Sequence, residues 1–491
     1  MTAIACMILT AVGCYFSFGL GNAWWLAWLA PVPVLWLAFG QTTRWRAFLA
    51  AWGAFALGLS SILRAYLNVL PGPILALEIL VPSLLFALAA MGARRVNTTL
   101  GPVPAMFAFA VLWTGFDLLV SLDPAAGSII SPAGAEVAAP MMIQSAALVG
   151  FFGITFLLGA VAAGISLSLR TRNPAPALLA LGLFAANAAY GYLRVSRPPT
   201  GAMPVALIDS NMFGYWVDAV HPATGIAPAA LRVIDAYTAQ IRRLGSGHVQ
   251  LVVLPENIAR IESPWHNEAQ VKLAAAAGTT GATVVGGFNA LLEGARRNMA
   301  WAFAPSVSSP TIYEKRHLVP GVESRVFAPG PGPRVLPDGI EPEICFDMDF
   351  PRTIRHDTVA MRPRLLAVSA SEIGTHGDWS HLGAAADDWF HARDALLRSV
   401  ENGVPMARTA ARGLLTLSDR YGRIVAESRT SGAFITLVGN LPLDGRGGST
   451  LYDRIGDAFG WLCVALGGVL VAASFRFAAP NRKSGRSDLT R

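Results

Sequence analysis

Glu256, Lys315 and Cys345 are three residue types that together can run covalent, nucleophilic chemistry. A thiol nucleophile needs a group to take its proton and a positive charge beside the oxyanion that its attack creates. A carboxylate, an ammonium and a thiol supply all three. A nearby lysine also favours the thiolate, drawing a cysteine below its free pKa of about 8.5. Cys345 is the only cysteine in the polar half of the chain, since Cys6, Cys14 and Cys463 lie inside apolar runs. Taken singly, each residue has an ordinary explanation: a solvated turn glutamate, a surface lysine, a buried filler thiol.

The elements around these residues would place them at strand ends. Val249–Leu254 reads as a buried strand that runs into Pro255-Glu256-Asn257. Residues 282–286 and 300–304 read as further strands, Lys315 follows a Ser/Pro turn, and the stretch after the Pro/Gly-rich loop 328–338 leads to Cys345. Residues 226–244 carry Leu231, Ile234 and Ile241 on one helical face, and 384–403 read as a long helix holding Arg393, Arg398 and Glu401. Strands alternating with helices imply a layered α/β domain.

That domain is embedded in an unusually apolar chain. The 491 residues are 53% hydrophobic and only 14% charged, with mean hydropathy +0.47, against about 25% charged in a soluble globular protein. Apolar stretches near 2–20, 22–40, 47–66, 73–92, 101–121, 140–168, 174–193 and 457–478 each approach the roughly 20 residues that a membrane span needs. The first lacks a basic start and a clear cleavage site, so it reads as a retained anchor rather than a signal peptide. Pro31, Pro33 and Pro82 should kink or end helices.

The net charge of +7 is explained by arginines at the span ends. Arg44 and Arg46, Arg94 and Arg95, Arg170 and Arg172, and the group Arg476, Arg482, Lys483 and Arg486 all fall in alternate loops, which would lie on the cytoplasmic side. The loop 122–139, with Asp123 and Glu136 and no Lys or Arg, falls on the other side, together with residues 200–450. Both termini would then be cytoplasmic, with the large domain outside a bacterial plasma (inner) membrane. Arg64, Glu78 and Asp117 would lie near the outer interface, either as a lipid headgroup site or paired and snorkelling.

No basic-aromatic interleaving suggests nucleic acid, and the cysteine spacing suggests neither a disulfide framework nor a metal site. His317, His376, His381 and His391 form no zinc-type set, and no cofactor is expected.

Wording and order now add a resemblance. Leu254-Pro255-Glu256, then Glu314-Lys315-Arg316-His317-Leu318-Val319-Pro320 with Glu323 beyond, then Glu343-Ile344-Cys345-Phe346-Asp347 resemble the nitrilase (carbon–nitrogen hydrolase) superfamily over residues 203–430. Arg398-Ser399-Val400-Glu401-Asn402 resembles its Arg-Ala-x-Glu-Asn helix. The resemblance implies a Glu–Lys–Cys triad on an αββα sandwich.

Hung between apolar segments, such a domain is similar to the apolipoprotein N-acyltransferase family. Trp28-Leu29-Ala30-Pro31-Val32-Pro33, Pro140-x-x-x-Gln144 and Gly448-Ser449-Thr450-Leu451-Tyr452-x-Arg454-x-Gly456-Asp457 carry further likeness. The sequence departs where Phe346-Asp347 replaces the family's Tyr-Glu, where Leu254 replaces Trp, and around residues 369–380.

By this resemblance, residues 1–198 hold seven transmembrane helices and 199–450 an extracytoplasmic nitrilase-like catalytic domain. Residues 451–480 hold a last transmembrane helix and 481–491 a basic cytoplasmic tail. Glu256, Lys315 and Cys345 would be catalytic, with Glu323 and the Phe346 amide supporting, and with Trp379 and Asp347 as candidates for lining the substrate. The donor would be a membrane phospholipid and the acceptor an apolipoprotein. Spans crowding the surfaces through which nitrilases pair favour a monomer. Other readings stay open: a membrane-tethered amidase or nitrilase, a specialised paralogue such as those encoded with conjugal-transfer systems, and a non-catalytic assembly or transfer factor that retains the fold.

Overall fold

The computed structural model describes residues 2–18, 23–40, 43–67, 70–124, 127–210, 226–292, 294–372, 380–430 and 434–476, with backbone alone for 64–65, 226 and 380–390. The expectations for Trp379 and His376 fall outside these residues, as do those for the side chains of Arg64 and His381.

The chain begins with α1 (Ala3–Ser17), a four-residue turn of helix at Trp24–Ala27, and α2 (Val32–Ala38). Then come α3 (Arg44–Leu59), α4 (Gly72–Leu100), α5 (Pro102–Ser121), α6 (Phe152–Thr171) and α7 (Ala175–Val195). Among the described residues six helices are long and apolar enough to cross a membrane: α3 to α7 and the C-terminal helix Ala458–Arg476.

The first two expected spans differ from this. The 15-residue α1 reaches only about 22 Å at 1.5 Å per residue, and the second segment breaks at Trp28–Pro31, just before α2 starts with Pro33 in its first turn. The sixth segment also starts later than expected. Residues 140–149 are turns and one short helix, because a buried apolar loop has the hydropathy of a span without its geometry. Pro82 lies inside the 29-residue α4 and does not end it.

Residues 199–450 form two sheets. One holds β1 (Ala202–Ser210), β2 (Leu251–Val253), β3 (Ala259–Ile261), β4 (Thr283–Leu292), β5 (Ala295–Phe303), β6 (Thr311–Glu314) and β12 (Phe434–Pro442), in the order β12-β1-β2-β4-β5-β6 with β3 beside β4. The other holds β7 (Ile340–Ile344), β8 (Leu365–Ser371), β9 (Met406–Ala411), β10 (Leu414–Ser418) and β11 (Ile424–Arg429), in the order β11-β10-β9-β8-β7.

The period-2 pattern of each strand dictates the layering. In β1, Val205 and Leu207 enter the core between the sheets, with Val253, Val285, Ile344 and Ala367. Ala206 and Ile208 face the other way, into a core shared with α8 (Ile226–Arg243) and α9 (His266–Thr280). Beyond the second sheet, Leu366, Val368 and Met406 pack with Ile354 of α10 (Pro351–Met361) and Leu396 of α11 (Ser380–Asn402). The layers are therefore helix, sheet, sheet, helix. The chain returns to the apolar layer in α12 (Ala458–Arg476).

Helical layer and sandwich share packing. Leu397 and Val400 of α11 are buried in the same core as the membrane helices. Around them lies a polar seam. Arg398, fully buried, pairs with Glu401 at 3.0 Å, and Glu401 accepts a 2.8 Å hydrogen bond from the Phe151 amide. Gln144 donates to the Tyr421 carbonyl at 2.8 Å and accepts from Arg194 at 3.1 Å. Several motifs that carried the family likeness thus serve docking. Asp117 accepts hydrogen bonds from Ser131 (2.9 Å) and Thr155 (2.6 Å), so it ties helices together rather than forming a headgroup site.

Candidate active site

Glu256 sits on the turn that follows β2. The turn is close-packed on β4: a Cβ at Gly287 would overlap the Glu256 backbone and lie 2.8 Å from the Pro255 carbonyl. Glycine at 287 is what lets the carboxylate reach the site. Lys315 follows β6 directly. Its amide donates to the Asn298 carbonyl at 2.9 Å and its carbonyl accepts from Gly330 at 2.8 Å, fixing the backbone on both sides.

The Lys315 ammonium is 1% exposed and lies 2.9 Å from Glu256 Oε1 and 2.7 Å from Glu323 Oε2. Asn298, also buried, donates from one Nδ2 to Glu256 (2.6 Å) and to Glu323 (3.0 Å). A second anchor for Glu323 is the Val319 amide at 3.0 Å. The pairing holds Lys315 charged: burial works against the ammonium, but Glu256 and Glu323 outweigh it and push its pKa well above the usual value. Burial raises the Glu256 carboxyl, Lys315 opposes, and Glu323 raises it further.

Cys345 stands where β7 ends, opening a 3-10 turn over Cys345–Asp349. Its φ is +44°, a left-handed conformation that costs a non-glycine residue energy and recurs at functional turns. The Sγ lies 3.9 Å from the Ser371 carbonyl at the end of the neighbouring β8. Burial pushes the thiol well up, Glu256 adds to the rise, and Lys315 pulls against both; Glu372 and Glu323 also raise it. The expected thiolate-favouring effect of Lys315 is therefore present but outweighed by burial and the neighbouring carboxylates.

Asp347 is fully buried. Its Oδ1 accepts from the His317 amide (2.8 Å), from His317 Nδ1 (2.9 Å) and from the Arg316 amide (3.2 Å), while Oδ2 accepts from the Tyr313 hydroxyl at 2.7 Å. It locks the turn after Cys345 to the segment that carries Lys315. Burial alone would raise this carboxyl, but the hydrogen bond and charge of His317, with Lys315 and Arg316, hold it below the ordinary value. Phe346 is buried edge-on against Phe350, whose ring stacks on His317 at 3.8 Å.

Two site residues escaped the sequence reading. Asn298 left one signal, an amide inside a strand, where Asn is depleted. Glu372, buried and paired with Arg408, adds negative charge beside the thiol. Among the described residues one group of three carboxylates could hold a cation: Glu341, Glu343 and Asp357. Arg316 already reaches Glu343 (3.2 Å) and Asp357 (2.5 Å) there. His317 and His391 pair with Asp347 and Asp349 instead.

The site lies against the helical layer. Asp349, four residues after Cys345, accepts from the Ser128 amide at 2.8 Å and its hydroxyl at 3.1 Å. Gly321, between Lys315 and Glu323, approaches Pro71 at the start of α4, and the Tyr66 hydroxyl lies 3.1 Å from His391.

Residues 10–164 match the family described as apolipoprotein N-acyltransferase N-terminal domain. An apolipoprotein N-acyltransferase of Geobacter metallireducens is 26% identical over 92% of this chain and 91% of that one. The chain resembles the apolipoprotein N-acyltransferases along nearly its whole length. A further relative of that name, from Rhizobium rhizogenes, is 25% identical over 68% of this chain and 67% of its own. One from Thermotoga maritima is 31% identical over 32% of this chain and 28% of its own. Among solved structures, a carbon–nitrogen hydrolase superfamily protein of Xanthomonas campestris matches at 20% identity, covering 48% of this chain and 90% of that one, with a TM-score of 0.37. An amidase of the nitrilase superfamily from Nesterenkonia matches at 18%, covering 53% and 97%, with a TM-score of 0.40.

Proposed function

We propose that this protein is a membrane acyltransferase that moves a fatty acyl chain from a phospholipid, through a Cys345 thioester, to the N-terminal amine of a diacylglyceryl-cysteine lipoprotein. The observation that carries the reading is the bond between Asp349 and Ser128, which puts the nucleophile's own turn on the helical layer. Both substrates are held in a bilayer, so the chemistry has to be done at its face. A domain acting on soluble amides has no need of that placement.

In this scheme Glu256 takes the Cys345 proton as sulfur attacks the ester carbonyl. Lys315, with the backbone N–H of Phe346, stabilises the tetrahedral oxyanion. Collapse expels the lysophospholipid alkoxide, which receives the proton from Glu256, and leaves the acyl group on sulfur. The lipoprotein amine then attacks the thioester, Glu256 accepts the amine proton, and the thiol is regenerated with it. Splitting the transfer into two steps gives ping-pong kinetics. Glu323 and Asn298 act through Lys315 and Glu256 as positioning residues. The bilayer is the bacterial inner membrane in this reading, with the sandwich on its outer side and both termini inside.

Phospholipid labelled in its acyl chain tests the scheme. Label is expected on the wild-type protein in a hydroxylamine-labile bond and absent from Cys345→Ala. Rescue of a strain depleted of its lipoprotein N-acyltransferase by wild type, and not by Cys345→Ala, is the expected cellular result. A correctly inserted protein that never takes up label but hydrolyses a soluble amide overturns the acyltransferase reading.

A further inference from the structure

At the end of the helical layer remote from the sandwich, a cleft of about 630 Å³ opens between the first turns of α3 and the last turns of α4 and α12. Phe48, Leu88, Met91 and Val471 form its apolar wall, while Arg44, Arg94 and Arg95 bring three guanidinium groups to it. The volume lies within the roughly 300–1,000 Å³ typical of small-ligand sites.

Three observations point to an anionic amphiphile. The charge is unbalanced: residues 44–59, 84–100 and 458–476 hold no Asp or Glu. Among the described residues Arg95 Nε is buried without a hydrogen-bond partner, and its guanidinium lies 4.6 Å over the Phe475 ring. An unmet buried donor of this kind costs about 1–3 kcal/mol until something accepts from it. Finally, Trp45 stands 65% exposed beside the arginines, and tryptophan is enriched at headgroup depth.

The cleft is distinct from the Cys345 site. α12 leaves the sandwich at Ala458 and meets the cleft at Val471 and Phe475. That is about 20–25 Å along the helix at 1.5 Å per residue.

We propose that this cleft binds an anionic phospholipid, its phosphate on Arg44, Arg94 and Arg95 and one acyl chain along the wall between α4 and α12. Basic pockets between membrane helices recognise anionic headgroups in this way. A zwitterionic lipid carries the same phosphate but adds an ammonium that three arginines repel, so the site discriminates by net charge.

Native mass spectrometry of the full-length protein, offered phosphatidylglycerol and phosphatidylethanolamine of matched chains, tests this. The wild type is expected to retain phosphatidylglycerol at least about fivefold over phosphatidylethanolamine. The double variant Arg44→Gln/Arg95→Gln should lose that preference while keeping its melting temperature in phosphatidylethanolamine nanodiscs. Leu88→Trp fills the wall without touching charge and should lower retention of phosphatidylglycerol, which keeps the test open if the double variant fails to fold. Equal retention of both lipids by the wild type overturns the proposal, as does an unchanged preference in the folded double variant or an undiminished retention of phosphatidylglycerol by Leu88→Trp. Stabilisation by inorganic phosphate equal to that by phosphatidylglycerol makes the ligand a free anion and also overturns it.

Discussion

Lys315 has two carboxylate partners, and Asn298 holds both of them in place with one amide. Asn298→Ala removes two hydrogen bonds to charged groups, each worth about 1.5–3 kcal/mol. Because not all of that is felt in the transition state, acylation of Cys345 should slow by about 10–100-fold at 1.36 kcal/mol per factor of ten. Single-turnover labelling with the variant correctly inserted in membranes measures it; an unchanged rate would make Asn298 a bystander. The pH dependence follows from the same cluster. The base must be ionised, and burial raises Glu256 with a further push from Glu323. Acylation should therefore rise with pH through a midpoint above the ordinary glutamate value of about 4.3. Glu323→Gln removes one raising charge, so its acid limb should move to lower pH. A limb that stays put or moves up would show that Glu256 is not the group being read.

The proposed triad was legible in the sequence because Glu256, Lys315 and Cys345 stand in an order and among neighbours that resemble a known superfamily. Asn298 was not, because its role depends on β5 pairing with β6, which brings Asn298 beside Lys315. The direction of the Cys345 shift was not legible either: sequence shows the lysine but not the burial or Glu372.

Among the elements, turns and docking surfaces decide whether the site assembles. Gly287 in β4 has no room for a methyl group beneath the Pro255-Glu256 turn. Gly287→Ala should leave the sandwich folded, since β4 keeps its ladder to β5. It should lower Cys345 acylation by at least about tenfold by moving Glu256, as small misplacements of a reacting group are costly. Circular dichroism alongside the labelling assay separates the two effects. On α11, Glu401 is the partner of fully buried Arg398 and accepts from the Phe151 amide. Glu401→Ala strands that guanidinium, at a cost of about 3–5 kcal/mol for breaking a buried pair. A drop in melting temperature and faster proteolysis at the junction are expected, and a Glu401→Gln variant, which still accepts from Phe151, should fall between. Strand and helix alternation announced the α/β layers, yet the span boundaries were misread at residues 22–40 and 140–149. Hydropathy measures apolar content and is blind to the turns that Pro31 and the loop before α6 impose.

For the whole molecule, sidedness is the claim that the mechanism most depends on, because the phospholipid ester and the lipoprotein amine must both reach Cys345. Exposed Ser246 lies in the sandwich, and exposed Asn173 lies in the turn between α6 and α7. α7 has 21 residues, so at 1.5 Å each it spans about 31 Å, close to the roughly 30 Å hydrocarbon thickness of a bilayer. Since α7 leads straight into β1, Asn173 and the sandwich must occupy opposite sides if α7 crosses. In the proposed orientation, Arg170 and Arg172 would put the Asn173 turn in the cytoplasm. Native Cys6, Cys14 and Cys463 are buried, so in a Cys345→Ala background an introduced thiol is the main reporter. With a membrane-impermeant maleimide on intact spheroplasts, Ser246→Cys should label at once and Asn173→Cys only after permeabilisation. The reverse pattern would put the sandwich in the cytoplasm, and equal labelling of both in sealed cells would mean that α7 does not cross. Either result would remove the basis for an outer-leaflet phospholipid donor, whatever Cys345 does in purified protein.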